Sequence, residues 1–359
     1  MNYYIIAGEV SGDMHGSQLV EQLSLLDKNA VFKGVGGEHL QNANVELVFG
    51  LDRMAFMGFY EVLKNLFTIR KNFKEIKQSI SFFKPDVVLL IDYPGFNLRM
   101  AKWCKKQGYK VVYYISPKLW AWNEKRVQKI KNYVDLMLCI LPFEEDFYRK
   151  HQYYNAHYVG HPLLDRVSLF AAEENEMEKP VIALLPGSRQ QEIKSLLPVL
   201  LQTASAFPDE KFIISGMTKM KEQYPDSLPS NISIVFDDMY SILKRAKAAV
   251  VCSGTATLET ALFNVPQVVI YKTSSVNYEI GKRLATVKFI SLPNLIVNDK
   301  LVEELIQKDC HADAIIMQLN KLLKSDTNDF YKSLNNKLGE KGVAKRAAGL
   351  ISAFLLSNK

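Results

Sequence analysis

The residues best suited to chemistry fall in short loops, each following an apolar run that reads as a strand. In Ile91-Asp92-Tyr93-Pro94-Gly95-Phe96-Asn97 a carboxylate ends a very apolar stretch. Partial desolvation there raises the pKa of Asp92 and suits it to general-base work. A helix cap, or a turn closed by Pro94-Gly95, accounts for the same residues. In Leu185-Pro186-Gly187-Ser188-Arg189-Gln190-Gln191-Glu192, the backbone of Gly187 and Ser188 offers N–H groups at a helix N-terminus, and Arg189 can clamp a phosphate bidentately. The alternative is an ordinary Ser cap with Arg189 solvated. No Gly-Lys-Ser/Thr follows, so this is not a typical P-loop.

Cys252-Ser253-Gly254-Thr255-Ala256-Thr257-Leu258-Glu259 supplies a second nest of small residues for phosphate oxygens. Glu259, one helical turn past Thr255, can accept two ribose hydroxyls; a capping box is the competing reading. Gly8-Glu9-Val10-Ser11-Gly12-Asp13 opens a helix that favours an anion or a polar sugar, or is simply a turn with Ser11 or Asp13 as cap. Ser116-Pro117-Lys118-Leu119-Trp120-Ala121-Trp122 sets two tryptophans beside a lysine that can reach a phosphate; an aromatic anchor on the core fits equally well. Asn294, after Pro293, can recognise a base or sugar, although a turn is the better reading. No Asp-x-Asp occurs, and the six histidines lack metal-ligand spacing. Two phosphate nests plus Arg189, with no metal site and no cofactor, point to a diphosphate neutralised by helix dipoles and cations.

These loops need strands to hold them. Tyr3–Ala7, Val31–Val35, Val45–Phe49, Asp86–Ile91, Lys110–Ile115, Leu136–Ile140 and His157–Gly160 read as strands, with helices over about Asp13–Leu26, Phe59–Phe82 and Asn97–Gln107. The acidic stretch 171–180 reads as a linker. The pattern then restarts with strands Val181–Leu185, Lys211–Ser215, Ile232–Phe236, Ala248–Cys252 and Gln267–Tyr271, and a helical tail follows from about His311. Alternating strands and helices imply parallel sheets covered on both faces. Two Rossmann-like units in tandem imply a cleft between them, with ligands outside the carboxyl ends of the strands.

The chain has 359 residues, enough for about two domains. Hydrophobic residues make up 48% and charged residues 23%, which excludes a disordered or fibrous chain. No run approaches the ~20 apolar residues of a membrane span. The first residues lack a basic, apolar leader pattern. Four scattered cysteines without a Cys-x-x-Cys pair fit free thiols in a reducing compartment. The net charge of +7 suits nucleic acid, anionic lipid or a phosphorylated substrate. No nucleic-acid module is recognisable, so nucleic acid is not expected. Residues 54–77 combine Phe56, Met57, Phe59, Leu63, Leu66 and Phe67 with Lys64, Arg70, Lys71, Lys74 and Lys77. Such a helix can lie in a membrane interface, or it can simply cover the sheet.

The motifs also occur in a specific order. Gly-Glu-Val-Ser-Gly-Asp at 8–13, Gly-Val-Gly-Gly at 34–37, Met-Gly-Phe-Tyr-Glu-Val-Leu at 57–63 and Asp-Tyr-Pro-Gly-Phe-Asn at 92–97 come first. Tyr-Tyr-Ile-Ser-Pro-Lys-Leu-Trp-Ala-Trp at 113–122, Leu-Pro-Phe-Glu at 141–144 and Val-Gly-His-Pro-Leu at 159–163 follow. Leu-Pro-Gly-Ser-Arg at 185–189, Ser-Gly-Thr-Ala-Thr-Leu-Glu at 253–259 and Leu-Pro-Asn at 292–294 complete the series. From residue 5 to about 305 the chain resembles the lipid-A-disaccharide synthases, family 19 of the GT-B glycosyltransferases. The resemblance implies an α/β GT-B fold. Residues 1–168 would form an acceptor- and membrane-facing domain, and 178–335 a UDP-sugar donor domain. Helices at 336–359 would pack back on the first domain.

The implied reaction is inverting and metal-independent. It joins UDP-2,3-diacylglucosamine to 2,3-diacylglucosamine 1-phosphate, giving a β-1,6-linked disaccharide and UDP. Asp92 matches the family's important aspartate and would be the base. Gly187, Ser188, Arg189, Glu192, Ser253, Gly254, Thr255, Ala256, Thr257, Glu259 and Asn294 would hold the donor. Ser11, Gly12, Asp13 and Lys118 would line the acceptor side. Acylated substrates imply work at the anionic cytoplasmic face of the inner membrane, with Phe56, Met57, Phe59, Leu63, Leu66 and Phe67 facing it. The helical tail suits a homodimer contact. A different GT-B UDP-sugar enzyme, an epimerase or a peptidoglycan-type transferase, is the alternative.

Overall fold

The computed structural model describes residues 1–54, 65–122, 124–171, 180–284, 287–324 and 330–357. The chain divides into two compact units, one of Met1–Asp165 with Glu340–Lys359, the other of Arg166–Gly339.

The first unit contains strands β1 (Asn2–Ala7), β2 (Val31–Gly36), β3 (Glu46–Gly50), β4 (Val87–Ile91), β5 (Lys110–Tyr114), β6 (Leu136–Cys139) and β7 (Ala156–Tyr158). Its helices are α1 (Val10–Leu26), α2 (Glu38–Asn42), α3 (Leu66–Phe83), α4 (Pro94–Lys106), α5 (Leu119–Trp122), α6 (Val127–Tyr133) and α7 (Pro142–Lys150). Helix α8 (Leu163–Ala171) carries the chain into the second unit. All pairings are parallel, in the order β3-β2-β1-β4-β5-β6-β7. Alternate residues of β1 serve opposite faces: Tyr4 and Ile6 join one buried cluster with α3, α4 and α6, and Tyr3, Ile5 and Ala7 join the other with α1. Every residue of β4 is buried, the burial on both faces that βαβ crossovers produce.

The second unit contains β8 (Val181–Leu185), β9 (Phe212–Gly216), β10 (Ile232–Phe236), β11 (Ala246–Cys252), β12 (Gln267–Tyr271) and β13 (Glu303–Ile306), parallel in the order β10-β9-β8-β11-β12-β13. Its helices are α9 (Gln190–Ser205), α10 (Met239–Arg245), α11 (Thr255–Leu262), α12 (Ser275–Leu284), α13 (Leu292–Val297), α14 (Ala312–Leu322) and α15 (Lys332–Leu338). The last helix, α16 (Val343–Ser357), belongs to the first unit, where Val343, Ala347, Ile351 and Leu355 join the α1 cluster. The Asp165 carboxylate caps it by accepting the N–H groups of Gly342 and Ala344, and Arg346 donates to the Val159 carbonyl at 2.9 Å.

In both sheets the strand order reverses at one place, between β1 and β4 and between β8 and β11. These are topological switch points, where open α/β sheets leave a crevice outside their carboxyl ends. The structure adds one strand to the sequence expectation. β13 reads Glu-Glu-Leu-Ile and pairs with β12 alone, so an edge position lets two carboxylates stand in a strand. The helix expected over Phe59–Phe82 is observed from Leu66 to Phe83, and 55–64 lie outside the described residues.

Candidate active site

Four of the chemically rich loops sit at the two switch points. In the first unit Ala7 pairs with Ile91, so the 8–13 and 92–97 loops leave the sheet side by side. Gly8 is needed there, because a Cβ would overlap the Tyr93 ring. In the second unit Leu185 pairs with Val251, which brings the 186–189 and 253–257 loops together.

Asp92 and Tyr93 both adopt left-handed backbone, with φ of 45° and 49°. Ile115, at the end of the neighbouring β5, does so too at φ 69°, a strained state for a β-branched residue. Such strain costs on the order of 1–3 kcal/mol per residue and persists only where the surroundings over-determine it. Here they do. The Asp92 carbonyl accepts from the Tyr113 hydroxyl at 2.6 Å and from Asn97 Nδ2 at 2.8 Å, and its N–H donates to the Tyr114 carbonyl at 2.9 Å. The Tyr93 hydroxyl donates to the Met54 carbonyl at 2.8 Å. The strand end is thereby clamped around the carboxylate. Burial pushes the Asp92 carboxyl above the usual range, and the Tyr93 backbone and Lys118 partly offset that rise.

Lys118 is exposed on the loop after β5. Helix α7 ties that loop down twice: Ser116 Oγ lies 2.9 Å from the Tyr148 hydroxyl, and Trp120 Nε1 donates to Glu144 Oε1 at 3.1 Å. Glu144 Oε2 accepts the N–H groups of Ile140 and Leu141 at 3.1 and 3.0 Å. Its complete burial raises the Glu144 carboxyl to about 7 despite these donors and Lys118. His161 is also buried and is driven down to about 3 by burial, by His15 and by Lys118. It therefore stays neutral, and its Nδ1 accepts from the Leu163 N–H.

The remaining acceptor-side candidates differ from one another. Ser11 is exposed and Gly12 is buried against Ile91. Asp13 does not cap its own helix. Its carboxylate reaches across to the N–H groups of Gly37 (2.6 Å), His39 (3.1 Å) and Leu40 (3.2 Å), capping α2. Of the membrane candidates, Phe56, Met57, Phe59 and Leu63 lie outside the described residues, Leu66 opens α3, and Phe67 is exposed.

In the second unit the N–H groups of Ser188 and Arg189 both donate to Glu192 Oε2 at 3.1 Å. The turn read as a phosphate nest thus already holds a carboxylate, and Gly187, at φ +99°, has Glu192 where a Cβ would go. Arg189 Nη1 meets Glu192 Oε1 at 3.1 Å, while its side chain stays 73% exposed. Helix α11 begins at Gly254 with no side-chain cap, and a Cβ on Gly254 would meet nothing. Thr255 is exposed beside it and Ala256 is half-buried. Ser253 and Thr257 brace the turn through the Ile290 and Gly254 carbonyls, at 2.9 and 2.7 Å. Glu259 is buried; its Oε1 accepts from the Tyr240 hydroxyl at 2.6 Å, and burial raises its pKa against Tyr240 and Arg166. Asn294 is fully buried and serves the protein itself. Its Oδ1 accepts the N–H groups of Leu301 and Val302 at 2.8 Å, and its Nδ2 donates to the Val302 carbonyl and Glu304.

The sequence profile described as lipid-A-disaccharide synthetase matches residues 3–351. A lipid-A-disaccharide synthase of Geobacter metallireducens is 38% identical over 371 residues, covering 98% of this chain and 96% of its own. One of Coxiella burnetii is 38% identical over 347 residues, covering 93% and 92%. The chain belongs to the lipid-A-disaccharide synthase family. It is therefore a glycosyltransferase of lipid A biosynthesis.

Solved structures agree on the fold. The UDP-N-acetylglucosamine 2-epimerase of Neisseria meningitidis, bound to UDP-GlcNAc, superposes with a TM-score of 0.68 at 14% identity, covering 100% of both chains. The glycotransferase of kitacinnamycin gives 0.69 at 13%, covering 99% of both. Likeness at this identity establishes a GT-B-like α/β fold and does not favour an epimerase. Among the described residues of this synthase-family enzyme no helix is long and apolar enough to cross a membrane.

Two groups beside these loops escape a loop-by-loop reading of the sequence, Glu144 and Tyr240. The signal for Glu144 was present: a tryptophan that anchors its loop on the core needs an acceptor for its indole N–H, and Leu141-Pro142-Phe143-Glu144 opens a helix after the adjacent strand. Nothing local marks Tyr240.

Proposed function

We propose that this enzyme transfers the 2,3-diacylglucosaminyl group of its UDP-linked donor to the 6-hydroxyl of 2,3-diacylglucosamine 1-phosphate. Asp92 takes the hydroxyl proton as the oxygen attacks the anomeric carbon. The O6–C1 bond forms on the face opposite the nucleotide, the bond from C1 to the phosphate oxygen breaks, and its electron pair leaves with UDP. Configuration inverts to the β-1,6 linkage. The observation that most supports this is the Asp92 carboxylate, held at a switch point on strained backbone and made more basic by burial.

Charge developing on UDP meets Arg189 and the uncapped start of α11, and Glu259 accepts the ribose hydroxyls. Glu192 holds the 187–189 turn in shape. Asn294 contributes by fixing the 291–304 segment. Ser11 and Gly12 line the acceptor side, Asp13 fixes their loop, and Lys118 attracts the acceptor phosphate. The acyl chains place the work at an anionic inner-membrane surface. On α3, exposed Phe67, Arg70, Lys71, Lys74 and Phe82 share one face suited to it.

The test is UDP release from UDP-2,3-diacylglucosamine, with and without the acceptor and in EDTA, for the wild type and Asp92→Asn. Acceptor-dependent release that survives EDTA and falls at least ~10²-fold in the variant supports the mechanism. Wild-type release that ignores the acceptor overturns the transferase reading, and a fully active Asp92→Asn removes Asp92 as base.

A further inference from the structure

Glu259 is buried at 8% exposure, and a carboxylate so placed needs donors to remain an ion. Among the described residues its Oε1 has one, the Tyr240 hydroxyl at 2.6 Å, and no hydrogen bond reaches Oε2. Tyr240 is itself buried at 5%. Its ring is enclosed by Phe170, edge-on with centroids 4.8 Å apart, by Phe263 at 5.1 Å, and by the Arg166 guanidinium 4.9 Å from its centroid. Three neighbours thus fix the ring, and Asp238, capping α10 through the Ser241 N–H at 3.2 Å, fixes the turn that bears it. A phenylalanine would fill this space as well. What the tyrosine adds is one hydrogen bond, aimed at one oxygen of one carboxylate.

We propose that Tyr240 is a positioning residue for the nucleotide: by holding Glu259 Oε1 it turns Oε2 toward the vicinal hydroxyls of the ribose of a nucleoside diphosphate. The inference rests on the reading of Glu259 as the ribose contact. Arg166, across the Tyr240 ring, helps keep the carboxylate charged, and a charged oxygen is the stronger acceptor for a hydroxyl. Discrimination between nucleotides with and without ribose hydroxyls then depends on a residue that never touches them.

The experiment measures the affinities of UDP and 2′,3′-dideoxyuridine diphosphate for the wild type, Glu259→Gln and Tyr240→Phe by calorimetry. The expected wild type prefers UDP by about tenfold or more, the worth of hydrogen bonds to a charged group. Glu259→Gln and Tyr240→Phe should both lose most of that preference while binding the dideoxy analogue as the wild type does, which also reports an intact fold. Equal weakening of both ligands by Tyr240→Phe, or an undiminished preference for UDP, overturns the inference while leaving Glu259 in place. A wild type that does not distinguish the two ligands overturns the Glu259 reading, and this inference with it.

Discussion

At the scale of single residues, the question is whether Asp92 is held for chemistry or for stability, and the two roles predict opposite signs. A carboxyl whose pKa is raised by burial loses stability as it ionises. Asn fits the left-handed backbone as well as Asp does. Asp92→Asn should therefore leave the melting temperature unchanged or higher while turnover falls by at least ~10²-fold; a clear loss of stability would make Asp92 a structural residue. Lys118 holds the same carboxyl down, so Lys118→Met should move the acid limb of kcat/KM to higher pH. An unmoved limb would detach Lys118 from the base.

Glu144 gives the fold a second dependence on pH. Its pKa is raised from 4.5 to about 7, so its contribution is complete below about 4.5 and is lost as the pH rises through about 7. The shift corresponds to on the order of 3 kcal/mol. Glu144→Gln should lose less thermal stability than the wild type between about pH 5 and pH 8, and parallel melting curves would refute the assignment. At this scale the sequence was legible where a charge ends an apolar run, as at Asp92. It was not legible where a side chain is spent internally. Nothing local tells that Asn294 serves the 301–302 backbone and the Glu304 carboxylate, or that Glu192 fills the turn beside Arg189, because each partner is fixed by the fold of the loop.

At the scale of elements, Asp13 shows how a helix in one βα unit can depend on the next. Its carboxylate satisfies three N–H groups at the start of α2, a helix of only five residues with no cap of its own. Asp13→Ala leaves these donors without their acceptor beside a void, that of Leu40 buried and those of Gly37 and His39 nearer water. Unsatisfied buried donors cost ~1–3 kcal/mol each, and partial rehydration brings the expected total to about 3 kcal/mol. For a unit of this size that lowers the melting temperature by roughly 6–12 °C. A variant that melts with the wild type would show that α2 does not need the cap. The sequence made Asp13 visible as a cap, but for the wrong helix, because periodicity reports a strand or helix and not which neighbour it meets. The strands themselves were readable. Six of the first sheet and five of the second follow from apolar runs rich in β-branched and aromatic residues, and β7 (Ala-His-Tyr) follows from the Gly160-His161-Pro162 that ends it; β13 was missed because its carboxylates belong to an edge.

At the scale of the whole molecule, repetition in the sequence pointed to two parallel sheets but could not order the strands. The order β3-β2-β1-β4 and its counterpart β10-β9-β8-β11 is what makes four separate loops into two neighbouring pairs. Surface charge, by contrast, was readable in kind but not in place. The chain carries +7, and the structure gathers part of it on α3, where Arg70, Lys71 and Lys74 are exposed between Phe67 (84% exposed) and Phe82 (88%). Lys77 of the same helix is instead folded over the Phe73 and Trp103 rings, at 4.6 and 5.3 Å. Exposed Arg99 and Lys102 of α4 and Lys129 of α6 belong to helices that cover the same face of the sheet.

A basic residue near an anionic bilayer contributes ~1 kcal/mol, and the attraction decays within a Debye length. Replacing Arg70, Lys71 and Lys74 together by Gln should thus weaken sedimentation with anionic vesicles by about 10²-fold at low salt. It should also flatten the salt dependence and leave turnover on detergent-dispersed substrate unchanged. Phe67→Ser with Phe82→Ser should lower binding by a factor that salt does not alter, since burial of apolar surface is unscreened. If the wild type ignores anionic vesicles at low ionic strength, or the triple variant binds them as well as the wild type, α3 is an ordinary sheet-covering helix whose outer face meets only water.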